Sequence, residues 1–584
     1  MCYVPPLADV QFTLERVLDL PGLSKLPPFE HADPDTVRGL LDEFGRFVAE
    51  VIAPVDRVGD IEGSTFDRAS GEVTTPTGWA VAYAKYAGAG WGSVPFPAEH
   101  TGGGFPWVVG LAIQELLTSA SMAFALCPML TQGAIEMLIH HGSPDQHERY
   151  VRRMVSGGWT GTMNLTEPHA GSDVGALTTR AVPADDGTWR ITGQKIFITY
   201  GEHDLTDNIV HLVLARVPNA PPGTKGISCF VVPKFVLDEQ GEPGVRNGVR
   251  CLSLEHKLGI HASPTCVLEF DDAVGELIGE ANAGMRYMFT MMNNARLAVG
   301  LQGLAVGEVA YQQALEHATA RVQGRPIIEH PDVRRMLLTM RSLNEAMRGM
   351  LYLNAEATDL ARHAQTDDER AANQELADLL TPISKGWCTD MGTEVASLAL
   401  QVHGGMGYIE ETGIAQRYRD VRIAAIYEGT NGIQAIDLVG RKLSLRGGAA
   451  VRALLSRLEA LDTELAEAGP ELAGTRSNLA AAVAALRTTT DWLLARSTGD
   501  RSAVLAGATP YLRQWGIVVG GWMMARQALA ALPEAATDDH LAAKVVTARF
   551  YCEQLLPAAS GLTASVCAGS DLLFALTPHA LASR

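Results

Sequence analysis

The sequence predicts an α+β protein in four parts: a helical N-terminal domain, a central β-barrel or sandwich domain, a helical bundle, and an additional C-terminal helical domain. Three observations predict it. Apolar residues recur at helical spacing on both sides of a block, residues 160–276, whose short runs rich in β-branched and aromatic residues are separated by Pro, Gly and Asp turns. The chain has 584 residues, more than one hydrophobic core usually serves. Hydrophobic residues make up 47% and charged residues only 19%, the balance of a chain folded almost throughout.

Residues 1–35 read as an arm, with Val10, Leu14, Val17 and Leu18 at helical spacing before the Pro-rich stop LPPFEHADPD. Residues 36–159 form the first helical domain, running through WVVGLAIQELLTSASMAFALCPMLTQGAIEMLIHHG. The β domain, 160–276, carries WRITGQKIFITYG, IVHLVLARV, GISCFVVPKF and TCVLEFDDA. Helical spacing returns over 277–443 and stops at the Gly-rich LRGGAA. Residues 450–584 are rich in Ala and Leu at helical spacing and form a separate bundle.

A net charge of −19 and a pI near 5.3 disfavour nucleic acid or an anionic membrane as the main partner, because both attract basic surfaces. The eight cysteines (Cys2, Cys127, Cys229, Cys251, Cys266, Cys388, Cys552, Cys567) show no CxxC and no pairing with histidine. They predict buried thiols in a reducing, cytoplasmic setting, and no metal site. The N-terminal segment has acids at Asp9, Glu15 and Asp19 and lacks an export signal's basic and apolar regions. The apolar stretch GIVVGGWMMA, 516–525, lies between Arg513 and Arg526, too close together for a span of roughly 20 residues, and is expected to be a buried or interface helix.

Chemistry concentrates in separated segments: MNLTEPHAGSDVG (163–175), KIFITYG (195–201), and QVHGGMGYIEETG followed by RIAAIYEGTNGIQ (401–434). The first is a turn whose backbone N–H groups and hydroxyls suit the polar parts of a cofactor or a phosphate. The last ends in AIYEGTNGIQ (425–434), which holds one carboxylate, Glu428, and no other charge. Desolvation there would raise its pKa and make it a stronger base than in water; read alone, it would equally serve as the cap of a following helix.

Taken together, LTEPHAGSD, FIT, YEGT and the helix–β–helix order resemble the acyl-CoA dehydrogenase family of flavoproteins, over residues 36 to 443. The arm, the RVQGR sequence at 321–325 and the extra bundle resemble its long bacterial branch. The resemblance implies FAD as cofactor and α,β-dehydrogenation of an acyl-CoA thioester to the trans-2-enoyl-CoA, with Glu428 removing the α-proton and flavin N5 accepting the β-hydride. It also implies an oxyanion site, in which the thioester oxygen accepts hydrogen bonds from the N–H of the catalytic glutamate and a ribityl hydroxyl. A position for the base on another helix, before an arginine, falls here on Ala295, so no rival carboxylate stands there.

Carried over position by position, the cofactor-binding set is Met163, Leu165, Thr166, Gly171, Ser172, Phe197, Ile198, Thr199, Thr430 and Asn431. Thr166 would bond the pyrimidine edge, Thr199 would lie near N5, and Phe197 would lie against the ring. Arg321, Gln323, Gln401, Gly404 and Gly405 match positions that reach the FAD of a neighbouring subunit, implying a homodimer. Ser172, Asn293, Arg296 and Gly429 match substrate contacts; Asn293 replaces a frequent aspartate, and Gly440 replaces a CoA-binding arginine, with Arg441 one place on. His169 and His403 read as turn or packed residues, and Met291 and Met292 as core or acyl-pocket lining.

The implied acceptor is electron-transfer flavoprotein. The alternatives are an acyl-CoA oxidase using O2 and a DNA-associated flavoprotein of the same fold; a flavin hydroxylase would have no use for a base at Glu428. The extra bundle is expected to cover a face that shorter relatives use to form tetramers. Short, medium, branched and sulfur-containing acyl groups all stand open.

Overall fold

Asp33 and Pro34 open the first long helix: the Asp33 carboxylate accepts from the N–H groups of Asp35 (3.0 Å) and Thr36 (3.2 Å), and Pro34 stands where no donor is needed. In the computed structural model, which describes residues 3–582, this helix follows an arm containing α1 (Leu7–Phe12). Val10, Leu14, Val17 and Leu18 of the arm are all buried, as their spacing predicts. The N-terminal domain comprises α2 (Pro34–Phe47), α3 (Ala53–Glu62), α4 (Trp79–Gly88), α5 (Trp107–Ala120) and α6 (Met122–His141). By length and composition α6 could cross a membrane, but its apolar window is 94% buried inside the protein, so it serves as a core helix.

The central domain holds β1 (Trp159–Asn164), β2 (Arg180–Pro183), β3 (Trp189–Thr199), β4 (Asn208–Ala215), β5 (Ser228–Pro233), β6 (Val249–Leu254) and β7 (Thr265–Leu277). They form one sheet in the order β1-β4-β5-β7-β3-β2, with β6 also on β7; β1 runs parallel to β4 and every other pair is antiparallel. The long β7 pairs with β3 along most of its length and with β5 at Glu276 and Leu277, bending where its register shifts. Backbone bonds from Ala181 to Arg216 (2.8 Å) and from Arg216 to Thr179 (2.9 Å) tie β2 to the end of β4, so the sheet closes in the manner of a barrel. Ile198, Val213, Phe230, Leu268 and Phe270 fill a core of its own.

The bundle is α7 (Gly284–Ala320), α8 (Pro331–His363) and α9 (Asp367–His403), followed by α10 (Ile414–Val421) and α11 (Asn431–Asp437). Thr366 and Glu369 start α9 with reciprocal caps of 3.2 and 3.1 Å. α7 and α9 cross in close contact: a Cβ on Gly303 would lie 2.1 Å from the Cys388 carbonyl oxygen. The C-terminal domain contains α12 (Ala449–Glu467), α13 (Ala473–Arg496), α14 (Ala508–Ala531) and α15 (Asp539–Phe550). All of 516–525 is buried in α14, which packs on α8 and α9. On this domain's surface Arg476, Arg487 and Arg549 pair with Asp462, Glu459 and Glu553.

Candidate active site

Glu428 sits in the turn between a short 3-10 segment, Arg422–Ala425, and α11. It does not cap α11: the Thr430 hydroxyl accepts from the Ile433 N–H (3.2 Å) and does that work. The Glu428 backbone is left-handed, φ +56, a conformation costing about 1–2 kcal/mol for a non-glycine residue. The buried Gln434 amide holds it there by donating to the carbonyls of Glu428 (3.3 Å) and Gly429 (3.2 Å). Gly429 has φ +81, and a Cβ there would lie 2.9 Å from Gln434 Nε2. Beside the acid, the Tyr427 hydroxyl donates to Gln302 of α7.

Among the described residues, the Glu428 carboxylate makes no hydrogen bond and no ion pair, and the Glu428 N–H has no intrachain acceptor. Desolvation pushes the carboxyl up to about 7, against the pull of the Arg296 and Lys385 charges. Arg296 is itself buried, 3.5 Å from Asp437 and 3.4 Å from Asn293. Arg441 is more exposed and pairs with the same Asp437 at 2.5 Å; both guanidinium groups lie over the Phe289 ring. The site's mouth thus carries two cations for one acid.

A second group of candidate residues lies on the sheet domain. Glu167 accepts from Lys195 Nζ (2.9 Å), from the Thr178 N–H and hydroxyl, and from the Thr179 N–H and hydroxyl. Lys195 also donates to the Leu165 carbonyl (3.0 Å) and the Ile196 N–H to the Thr166 carbonyl (2.9 Å), which pins the 163–175 turn beside β3. Met163, Leu165, Thr166, Gly171, Ser172, Phe197 and Thr199 lie along this junction. Phe197 is 57% exposed with φ +60, presenting its ring instead of burying it. At Ile198 strand alternation turns the side chain into the sheet-domain core, where the residue is 2% exposed, so its side chain is not part of this surface.

Asn431 is corrected as a side-chain cofactor contact. Its amide is consumed by α9, accepting from Lys385 Nζ (3.0 Å) and donating to the Gly386 carbonyl (3.0 Å), Thr389 Oγ1 (3.0 Å) and Asp390 Oδ1 (2.7 Å). Arg321, Gln323, Gln401, Gly404 and Gly405 do not gather at Glu428's turn; all are exposed. The stacked rings of His317 and His403, 4.2 Å between centroids, bring the end of α7 beside the end of α9, so these five share one outward surface. Tyr408 on that surface is 93% exposed. His169 and His403 bond the carbonyls of Ala176 and Ala399, as turn and packed residues. Sequence reasoning missed Lys195, Gln434 and Lys385; Lys385 left a signal, as the lone charge in TPISKGWC.

The residues present fit FAD. The sheet-domain surface offers an exposed aromatic face, the hydroxyls of Thr166, Ser172 and Thr199, and an acid, Glu167, already matched by Lys195, which suits a neutral ring with polar edges. A sheet domain between two helical domains, carrying an exposed aromatic surface with hydroxyls, together with a lone desolvated carboxylate on the bundle, fits a flavin-dependent dehydrogenase. Family profiles match "Acyl-CoA dehydrogenase, N-terminal domain" over 34–158, "middle domain" over 162–273 and "C-terminal domain" over 282–443, and "Acetyl-CoA dehydrogenase C-terminal like" over 451–577. The chain is 48% identical to 3-methylmercaptopropionyl-CoA dehydrogenase of Ruegeria pomeroyi, over 95% of this chain and 96% of that one. It is 34% identical to the broad-specificity linear acyl-CoA dehydrogenase FadE5 of Mycobacterium tuberculosis, over 95% and 96%. Caenorhabditis elegans ACDH-11, solved with C11-CoA, shares the fold at a TM-score of 0.77 and 22% identity, over 95% of this chain and 92% of that one. The chain belongs to the acyl-CoA dehydrogenase family and is an FAD-dependent oxidoreductase acting on acyl-CoA.

Proposed function

We propose that Glu428 is the base that removes the α-proton of a short acyl-CoA, and that its own N–H polarises the thioester oxygen. The observation that carries this is the unpaired carboxylate on a left-handed turn, raised to about 7 by desolvation, beside an N–H with no intrachain acceptor. Bound FAD supplies the acceptor for the β-hydride. Phe197, Thr166, Ser172 and Thr199 would hold its ring; Arg321, Gln323, Gln401, Gly404 and Gly405 would meet the cofactor of a second subunit in a homodimer. Arg296 and Arg441, sharing Asp437, leave positive charge for the phosphates of CoA.

A short acyl group is supported by the interior beyond Tyr427. Gln302 links Tyr427 to Met129, and there Ile113, Gln114, Leu117, Met129, Gln132 and Ala298 leave a cavity of about 10 Å³, room for one water at most. Relatives named for compact acyl groups point the same way: the 3-methylmercaptopropionyl-CoA enzyme, and a butyryl-CoA dehydrogenase of Syntrophomonas wolfei at 35% identity. The acceptor proposed is electron-transfer flavoprotein, and the setting cytoplasmic, which the six thiols found buried and unpaired among the described residues fit.

The test is anaerobic reduction of the flavin by a panel of acyl-CoAs, with wild type and Glu428→Gln side by side, followed by admission of air. The variant should keep FAD and reduce it slower by roughly 10²-fold or more. Rates should fall as the acyl chain lengthens beyond the short members. An equal rate in the variant would remove Glu428 from its role, and rapid turnover in air would mean an oxidase.

A further inference from the structure

The packing of α9 against the Glu428 turn carries more than support. Lys385 is fully buried, and its ammonium has one hydrogen bond, to Asn431 Oδ1 at 3.0 Å. Among the described residues it forms no ion pair. Asn431 is three residues from Glu428 and is gripped by Gly386, Thr389 and Asp390 as well, so the turn and the ammonium are held in one frame. The glycine crossing of α7 and α9 keeps that frame beside Arg296.

We propose that Lys385 is a positioning residue for the base: Asn431 holds its ammonium off the Glu428 carboxylate, near enough to favour the ionised acid and too far to capture it. The inference rests on Glu428 being the base. The charged groups around Glu428 are Arg296 from α7 and Lys385 from α9, with Tyr427 on its own turn directed to Gln302. Those acting on Lys385 are Glu428, Asp390 and Arg296. Arg296 already has Asp437, which Arg441 also engages. Lys385, which forms no ion pair among the described residues, is therefore the cation left to act on Glu428. Burial lowers it to about 7 while Glu428 and Asp390 pull it back, so it shares the pH range of the acid it serves.

The experiment follows the pH dependence of anaerobic flavin reduction in the FAD-loaded enzyme for wild type, Lys385→Gln, Lys385→Met and Lys385→Arg. A second readout, infrared difference spectra against Glu428→Gln, follows the protonated Glu428 carboxyl without turnover. Loss of the cation should move the midpoint of the flavin-reduction rate and of the carboxyl band up by about one pH unit in both neutral variants, a tenfold loss of rate on the acid side. Lys385→Gln keeps a donor for Asn431, so a merely structural lysine would leave its midpoint unmoved. Lys385→Arg should restore the midpoint. Rates above the shifted midpoint should return to within about threefold of wild type. An unshifted midpoint in Lys385→Gln, or in Lys385→Met should the former fail to fold, overturns the role of Lys385 while Glu428→Gln stays slow. A fast Glu428→Gln would sink the base assignment, and this inference with it.

Discussion

At the scale of single residues the site is a matter of where one acid is held. Glu428 and Phe197 both have left-handed backbone, and each is held there by its surroundings: Gln434 under the acid, and the sheet under the ring. Gly429→Ala puts a methyl 2.9 Å from Gln434 Nε2 at φ +81, so the acid's support must shift. We expect flavin reduction to fall about tenfold or more, with FAD retained and the thermal midpoint lowered by only a few degrees, about 1–2 kcal/mol. A normal rate would mean that Gln434 does not set the acid's position. The glutamate was legible in sequence because it is the lone charge in its stretch. Its alternative reading as a helix cap fell only when Thr430 was seen to cap α11.

At the scale of elements, helical regions were legible from apolar spacing, while the caps that start individual helices, Asp33 and Thr366, emerged only in the structure. What joins them was not. Asp359 of α8, wholly buried, caps α5 from another domain, accepting from the N–H groups of Trp107 (2.7 Å) and Val108 (3.0 Å). Desolvation outweighs these bonds and raises its carboxyl from 3.8 to about 7. The folded protein then holds a proton that the unfolded chain has lost between those values, so this group's contribution is greatest below pH 3.8 and declines until about 7. Over that window wild type should lose on the order of 1 kcal/mol per pH unit relative to Asp359→Asn, read from chemical unfolding at a series of pH values. Parallel curves for the two proteins would rule the titration out. The bend of β7 between two partners was equally invisible, because alternation gives the faces of a strand and says nothing of its neighbours.

At the scale of the molecule, the arm and the C-terminal domain are joined to the bundle by buried charge. Lys544 of α15 meets Asp9 of the arm (2.7 Å) and Glu345 of α8 (3.3 Å). Nearby, Arg348 of α8 meets Glu115 of α5 (2.7 Å) and Glu308 of α7 (3.2 Å). Removing one partner of such a set leaves uncompensated charge inside, at about 3–5 kcal/mol. Lys544→Met should therefore lower the thermal midpoint and make the arm the first segment cut in limited proteolysis; an unchanged digestion pattern would place the arm's anchorage elsewhere. Because α14 packs on the outer side of α8 and α9, we expect a dimer by light scattering, and a stable tetramer would count against the covering role of this domain.

The sequence by itself determined the family, the helix–β–helix order, and the lone acid and the polar turn at 163–175 as candidates. Those readings rest on local periodicity and on short motifs whose residues stay together in the chain. Only the tertiary structure decided that Ile198 points inward, that Asn431 serves α9, that Arg296 shares its charge with Asp437, and that Lys385 bonds Asn431, three residues from Glu428. Each of these depends on which distant segment a side chain meets, and a buried charge takes its strength from the partners and the solvent it has lost.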